Sequence, residues 1–208
     1  MLNKKKALRK IIKVRVSAIS ADERRKREEI LHNNLFSMPE FLSASSVMLF
    51  ANLPDEIDTF SLIDKCFAMG KKVFLPVING DDMTVAEFTG EFKEGRFGIL
   101  EPVVELGVNG LITESRDNAC IVRYSVPEPV DVLLTDREKG PEHFDFVLVP
   151  GVAFSPNGYR LGRGKGYYDK FLSKYSNLFT VGVCFREQFY LDIPTEPHDV
   201  PMNKVLVI

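Results

Sequence analysis

The stretch from Asn157 to Phe171, NGYRLGRGKGYYDKF, constrains this chain more than any other. Glycines alternate at Gly162, Gly164 and Gly166, cations stand at Arg160, Arg163 and Lys165, and Tyr167, Tyr168 and Asp169 follow. Upstream, the apolar run Phe146–Pro150 reads as a buried strand. Downstream, YYDKFLSKY places Tyr168, Phe171, Leu172 and Tyr175 on one helical face. The glycines therefore fall between a strand and a helix. In such a loop successive N–H groups converge on one anion, and the helix start adds partial positive charge. With three cations interleaved, the pattern predicts a polyphosphate cradle. The competing reading, a surface turn with solvated charges, has no need of alternate glycines. The loop is not a P-loop, because Gly166 rather than Ser or Thr follows Lys165 and Tyr159 stands where the first glycine belongs. Nor is it the dinucleotide fingerprint, whose third glycine would be at Tyr167.

The rest of the chain is read against that loop. A length of 208 residues and a hydrophobic fraction of 45% suit one globular domain. A net charge of −2 points to neither nucleic acid nor a membrane surface. No apolar run approaches the ~20 residues of a membrane span. Met1–Lys6 lacks the apolar stretch of a signal peptide, and Cys66, Cys120 and Cys184 are odd in number and far apart. The expectation is a cytoplasmic protein, monomeric, with no structural zinc or disulfide framework.

Lys4–Ile19 is expected to be a helix with Leu8, Ile11, Ile12, Arg15 and Ile19 on one face. Lys5 and Arg9, four apart, share a face and can reach one anion, although spacing alone fits a solvated basic helix end equally. Ser20–Glu23 resembles a capping box, opening a second helix with Ile30, Leu31 and Leu35 apolar; His32 is expected at the surface. Val47–Ala51 reads as a strand, NLPDEIDT as a loop, Phe60–Met69 as a helix closed by Gly70, and Val73–Ile78 as a second strand. This order implies a parallel pair with a right-handed crossover, and ligands in such sheets sit beyond the carboxyl ends of strands. Met83–Phe88 alternates like an antiparallel strand after Asn79–Gly80. Phe179–Phe185 reads as another buried strand and Val205–Ile208 as an edge strand.

The run Val149–Asp169, VPGVAFSPNGYRLGRGKGYYD, resembles the signature of the 5-formyltetrahydrofolate cyclo-ligase family, and KKKALR, DEIDT and HDVPMNKVL extend the similarity over most of the chain. The resemblance implies ATP-dependent closure of 5-formyltetrahydrofolate to 5,10-methenyltetrahydrofolate. By resemblance, ATP contacts Lys5, Lys6, Ala7, Leu8 and Arg9, and the loop residues Arg160, Leu161, Gly162, Arg163, Gly164, Lys165, Gly166, Tyr167 and Tyr168. The folate contacts Arg9, Ala51, Glu56, Arg163, Gly164, Lys165, Gly166 and Tyr167, with Glu56 accepting from the amino-pyrimidine edge. Arg160, Arg163 and Lys165 are the catalytic candidates, and Asp169 and Asp199 the candidate Mg2+ ligands. Two departures stand out: Asn203 where the family often has an acid, and Ser155 where an Asp is common.

The resemblance also treats Phe92–Pro102 as a linker over the substrate cleft, a role that loop packing would equally explain, and Val103–Phe144 as an insertion. The expected architecture is a single three-layer α/β domain over residues 1–208, with a mostly parallel or mixed sheet flanked by helices and an insertion at about 103–144. Two other functions fit a basic glycine loop: a sugar-phosphate isomerase on a related scaffold, which needs a general base, and an RNA-binding module, whose affinity would fall steeply with salt.

Overall fold

A computed structural model describes residues 2–94, 100–103, 122–123, 144–175 and 178–208. The chain opens with helices α1 (Leu2–Ser17), α2 (Ala21–Leu35) and α3 (Pro39–Ser43), then strand β1 (Ser46–Met48), helix α4 (Phe60–Ala68) and strands β2 (Lys72–Asn79) and β3 (Asp82–Glu87). Short strands β4 (Glu91–Glu94), β5 (Leu100–Pro102) and β6 (Val122–Arg123) follow. Then come β7 (Phe146–Val149), β8 (Ala153–Phe154), β9 (Arg160–Leu161), α5 (Tyr167–Leu172), β10 (Thr180–Cys184) and β11 (Lys204–Val207).

Six strands form the main sheet in the order β11-β10-β7-β1-β2-β3. Every pairing is parallel except β2 with β3, which run antiparallel through the Asn79–Asp82 turn. The sheet separates two apolar clusters, and the alternation along each strand decides which residue joins which. Val47, Phe146, Leu148, Val181 and Val183 face the side covered by α1 to α4; Met48, Val147, Val149 and Cys184 face the side where α5 packs Phe171 and Leu172. Central strands are thus buried on both faces, which is why they read as continuous apolar runs rather than alternating ones. The expected three-layer α/β architecture is the one observed.

Several local expectations are corrected. On α1 the inward face is Lys5, Ile12 and Val16, whereas Ile11 is 50% exposed, because the helix is turned to bring its basic edge against the body of the protein. On α2, Ser20 does accept from the Glu23 N–H at 3.2 Å, but Ile30 is exposed and His32 is buried. His32 lies against α4, with Lys65 Nζ 3.2 Å from Nδ1 and Ser61 Oγ 3.4 Å from Nε2. Burial and the Lys65 charge push its pKa down. The helix after the glycine loop ends at Leu172, short of Tyr175.

The stretch Phe92–Pro102 is split between β4 and β5, which pair antiparallel, with β6 on the other side of β4. Phe92 is buried against Phe60 and Phe88. The expected insertion at about 103–144 lies outside the described residues apart from Val103, Val122–Arg123 and Phe144. Among the described residues, no helix is long and apolar enough to cross a membrane.

Candidate functional site

The chain leaves β7 at its carboxyl end, makes the β8–β9 hairpin, and enters the loop Gly162–Gly166 before α5. The strand–loop–helix expectation holds with that hairpin interposed. Gly164 and Gly166 have φ of 106° and 70°, a left-handed backbone that disfavours other residues. Gly182 on β10 has a different reason: a Cβ there would collide with the Phe154 ring, so the β8–β9 hairpin can lie directly on the sheet. Ser155 closes the hairpin, its N–H donating to Tyr159 O at 2.9 Å and its carbonyl accepting from Gly158 N at 3.0 Å.

Beside the loop lies a cavity of about 390 Å³ at the carboxyl end of the sheet. One wall is apolar, with Phe50, Ala51, Pro76, Ile78 and Met83; the other carries Arg160, Gly162, Arg163, Lys165, Gly166, Tyr167, Tyr168 and Asp169. Glu56 sits on its border and also lines a neighbouring cavity of about 150 Å³ with Arg9, Lys13 and Asp55. The Glu56 carboxylate accepts from Leu53 N–H at 2.9 Å through Oε2 and from Arg163 Nε at 3.1 Å through Oε1. Burial pushes its pKa up despite those bonds.

The cations of the site are held in four ways. Arg160, with its side chain only 3% exposed, pairs with Asp169 at 3.0 Å, donates to Val200 O at 3.1 Å, and stacks 5.8 Å from the Tyr168 ring centroid. Desolvation lowers its pKa, the carboxylate notwithstanding. Arg163 is half exposed and reaches across to Asp55 at 2.6 Å and Glu56 at 3.1 Å. Burial alone would lower its pKa, but the two carboxylates outweigh that and raise it. Lys165 is exposed and has no hydrogen-bond or ion-pair partner among the described residues. Arg9 donates from Nε to Gly162 O at 2.8 Å, pinning α1 to the loop, and burial lowers its pKa.

Lys5 comes to the same end of the sheet but pairs with Glu196 at 3.1 Å and Asp199 at 3.2 Å. Lys6 and Ala7 are exposed and, like Lys5 and Leu8, line neither cavity, whereas Arg9 lines the smaller one. Leu8 and Leu161 pack with the apolar cluster.

Asp169 Oδ1 accepts from Val200 N at 3.1 Å as well as pairing with Arg160, so the backbone just after Asp199 is tied to α5. Donor atoms of Glu196, His198 and Asp199 lie within 4.8 Å of one another. Asn203 is elsewhere. Its Oδ1 accepts from Thr180 N at 2.7 Å and Thr180 Oγ1 at 2.8 Å, at the amino end of β10. It clamps two strand starts and stands apart from the candidate metal ligands. Tyr167 anchors its hydroxyl on Gly80 O at 3.2 Å, whereas the buried Tyr168 hydroxyl has no partner among the described residues.

Residue patterns missed Asp55 and Glu196 as partners of the loop and helix cations. Asp55 had a visible signal, adjacency to Glu56 in the DEID loop, but its pairing with Arg163 spans 108 positions of sequence. Of the apolar cavity wall, assembled from three separate strands or strand ends, the resemblance pointed to Ala51, and no residue pattern pointed to Phe50, Pro76, Ile78 or Met83.

Residues 1–208 match the 5-formyltetrahydrofolate cyclo-ligase family as a whole. The chain is 31% identical to the solved Aquifex aeolicus 5,10-methenyltetrahydrofolate synthetase, with a TM-score of 0.72 covering 98% of this chain and 89% of that one. It is 27% identical to the 5-formyltetrahydrofolate cyclo-ligase of Escherichia coli strain K12, over 94% of this chain and 96% of the relative. To the Mus musculus 5-formyltetrahydrofolate cyclo-ligase it is 25% identical, over 97% and 92%.

Proposed function

Because this chain belongs to the 5-formyltetrahydrofolate cyclo-ligase family, we propose that it converts 5-formyltetrahydrofolate and ATP to 5,10-methenyltetrahydrofolate, ADP and phosphate. The observation that carries the reading at this site is one cavity bordered by Glu56 at one side and by the loop Gly162–Gly166 at the other. The apolar wall of Phe50, Ile78 and Met83 suits a flat ring system, and a carboxylate at its edge suits the donors of an amino-pyrimidine. The isomerase and RNA-binding readings gain no support from the family match.

An amide oxygen leaves poorly. Phosphorylation of the formyl oxygen by ATP makes it a good leaving group; the neighbouring folate amine nitrogen then attacks the formyl carbon, the ring closes and phosphate departs. The protein has to align two substrates and stabilise charge on the moving phosphoryl group, and it supplies no nucleophile. Lys165, without a protein partner among the described residues, is the cation poised to take that charge. Arg163 joins it when it leaves its carboxylates. Arg9 orders the loop from α1, and Arg160, buried against Asp169, fixes the start of α5.

Mg2+ fits the donors present. Asp169 and Asp199 offer hard carboxylate oxygens, and Asp169 Oδ2 takes no hydrogen bond among the described residues. Asp169 and Asp199 would hold the ion, which neutralises phosphate charge when bound. The ion pairs of Lys5 with Asp199 and of Arg160 with Asp169 orient both carboxylates.

The test is direct. Protein mixed with 5-formyltetrahydrofolate, ATP and Mg2+ is expected to produce the methenyl chromophore, and omission of ATP to abolish it. Absence of the chromophore from the complete mixture overturns the reading.

A further inference from the structure

Arg163 differs from the other cations of the site because both of its partners are carboxylates of the loop that follows β1. Its Nη2 donates to Asp55 Oδ1 at 2.6 Å and to Glu56 Oε1 at 3.1 Å, and its Nε donates to the same Glu56 oxygen. The Glu56 side chain is 14% exposed and the Asp55 side chain 43%, so one acid is deep and the other is at the rim. Arg163 and Glu56 line both cavities, which puts this three-residue clasp on the boundary between them. A guanidinium presents its donors in a rigid planar fork, so the edge turned toward Asp55 and Glu56 cannot also grip a phosphate.

We propose that Asp55 is a positioning residue that acts through Arg163 to couple the two substrates. In the empty site, Asp55 and Glu56 together hold the Arg163 guanidinium on the Asp55–Glu56 side, engaged with their carboxylates. A ligand that donates to Glu56 from the large cavity loosens the clasp and frees the guanidinium for an anion at Gly162–Gly166. The inference rests on the assignment, made above, of triphosphate to the loop and of the amino-pyrimidine edge to Glu56. Each ligand then favours the open clasp, and by linkage each raises the affinity of the other by the same factor. Because Asp55 is at the rim, its own share is modest, about 3- to 5-fold.

Calorimetric titration of a non-hydrolysable ATP analogue with Mg2+, with and without saturating 5-formyltetrahydrofolate, tests this. In the wild type the analogue is expected to bind more tightly when the folate is present. In Asp55→Ala the folate-free affinity is expected to rise about 3- to 5-fold, and the folate-induced gain to shrink by the same factor. Asp55→Glu, which keeps the carboxylate, is expected to retain the wild-type gain. A purely structural role for Asp55 would change melting temperature and leave the ratio of the two affinities alone. Asp55→Ala with an unchanged ratio, or with weaker nucleotide binding, overturns the proposal. Coupled binding without formation of the methenyl chromophore would remove the cyclo-ligase reading and leave the clasp. Chromophore formation with an Asp55-independent ratio would do the reverse.

Discussion

The two ends of the parallel sheet use the same kinds of residue for opposite purposes. At the amino end, Asp145 accepts four hydrogen bonds, from the N–H and hydroxyl of Ser45 at 2.8 and 2.9 Å and of Ser46 at 3.0 Å each. Lys71 is buried with its ammonium on the carbonyls of Phe41, Leu42 and Ala44, and Asn203 closes on Thr180. Each of these groups is paired with a fixed protein atom among the described residues. At the carboxyl end, Lys165 and the buried Tyr168 hydroxyl have no partner among the described residues, while Arg163 shares carboxylates that a ligand can take over. Residue type does not separate structure from function here. Completeness of pairing next to a cavity does.

The largest test of that contrast is Lys165→Ala. A preorganised donor to transferring charge contributes roughly 3 kcal/mol in the transition state, so turnover is expected to fall about 100-fold or more. Melting temperature should hardly change, since the side chain is exposed and unpaired. Near-wild-type turnover would break the comparison at its functional end.

Tyr168→Phe sharpens it. A buried hydroxyl without a partner destabilises the empty protein, so its removal is expected to raise stability by about 1 kcal/mol. If that hydroxyl waits for a ligand, the same change weakens nucleotide or folate binding about 10-fold, measurable by titration. A loss of stability would show that the group is already satisfied and belongs with the amino end.

The smallest effect is expected from Asp145→Ala, which should cost about 1 kcal/mol of stability with turnover unchanged, because the carboxylate is partly open to solvent. Burial pushes the Asp145 carboxyl up, but the Ser45 and Ser46 hydrogen bonds outweigh it and hold its pKa below the ordinary range. A depressed folded pKa stabilises above the unfolded value, near about 4, and that contribution disappears as pH falls through the folded value. Denaturant melts of wild type and variant should therefore differ at neutral pH and converge in acid. Equal differences at both extremes would show that the carboxylate charge contributes nothing.

The reading of single residues fared unevenly, for a physical reason. Helix Phe60–Ala68, closed by Gly70, and strand Lys72–Asn79 lay close to where local patterns put them, and Lys204–Val207 is the edge strand expected at the end of the chain. The glycine loop, with left-handed backbone at Gly164 and Gly166, was equally legible, since turn chemistry and periodicity act over a few neighbouring residues. Helix α1, expected over Lys4–Ile19, lies two residues earlier at Leu2–Ser17 and is turned differently: Ile11 is as apolar as Ile12, and only contact with the rest of the protein decided which one is buried. His32 was misplaced for the same reason, as its partner Lys65 lies on another element.

What the sequence determined by itself is the order of the principal helices and main-sheet strands, the burial of the central strands and the position of a cationic glycine loop between β7 and α5, because each is written in short-range spacing. Tertiary structure alone decided which cations meet which carboxylates. Ion pairs such as Arg163 with Asp55, or Lys5 with Asp199, join residues more than a hundred positions apart, and their geometry exists only once the sheet has brought those segments to one edge.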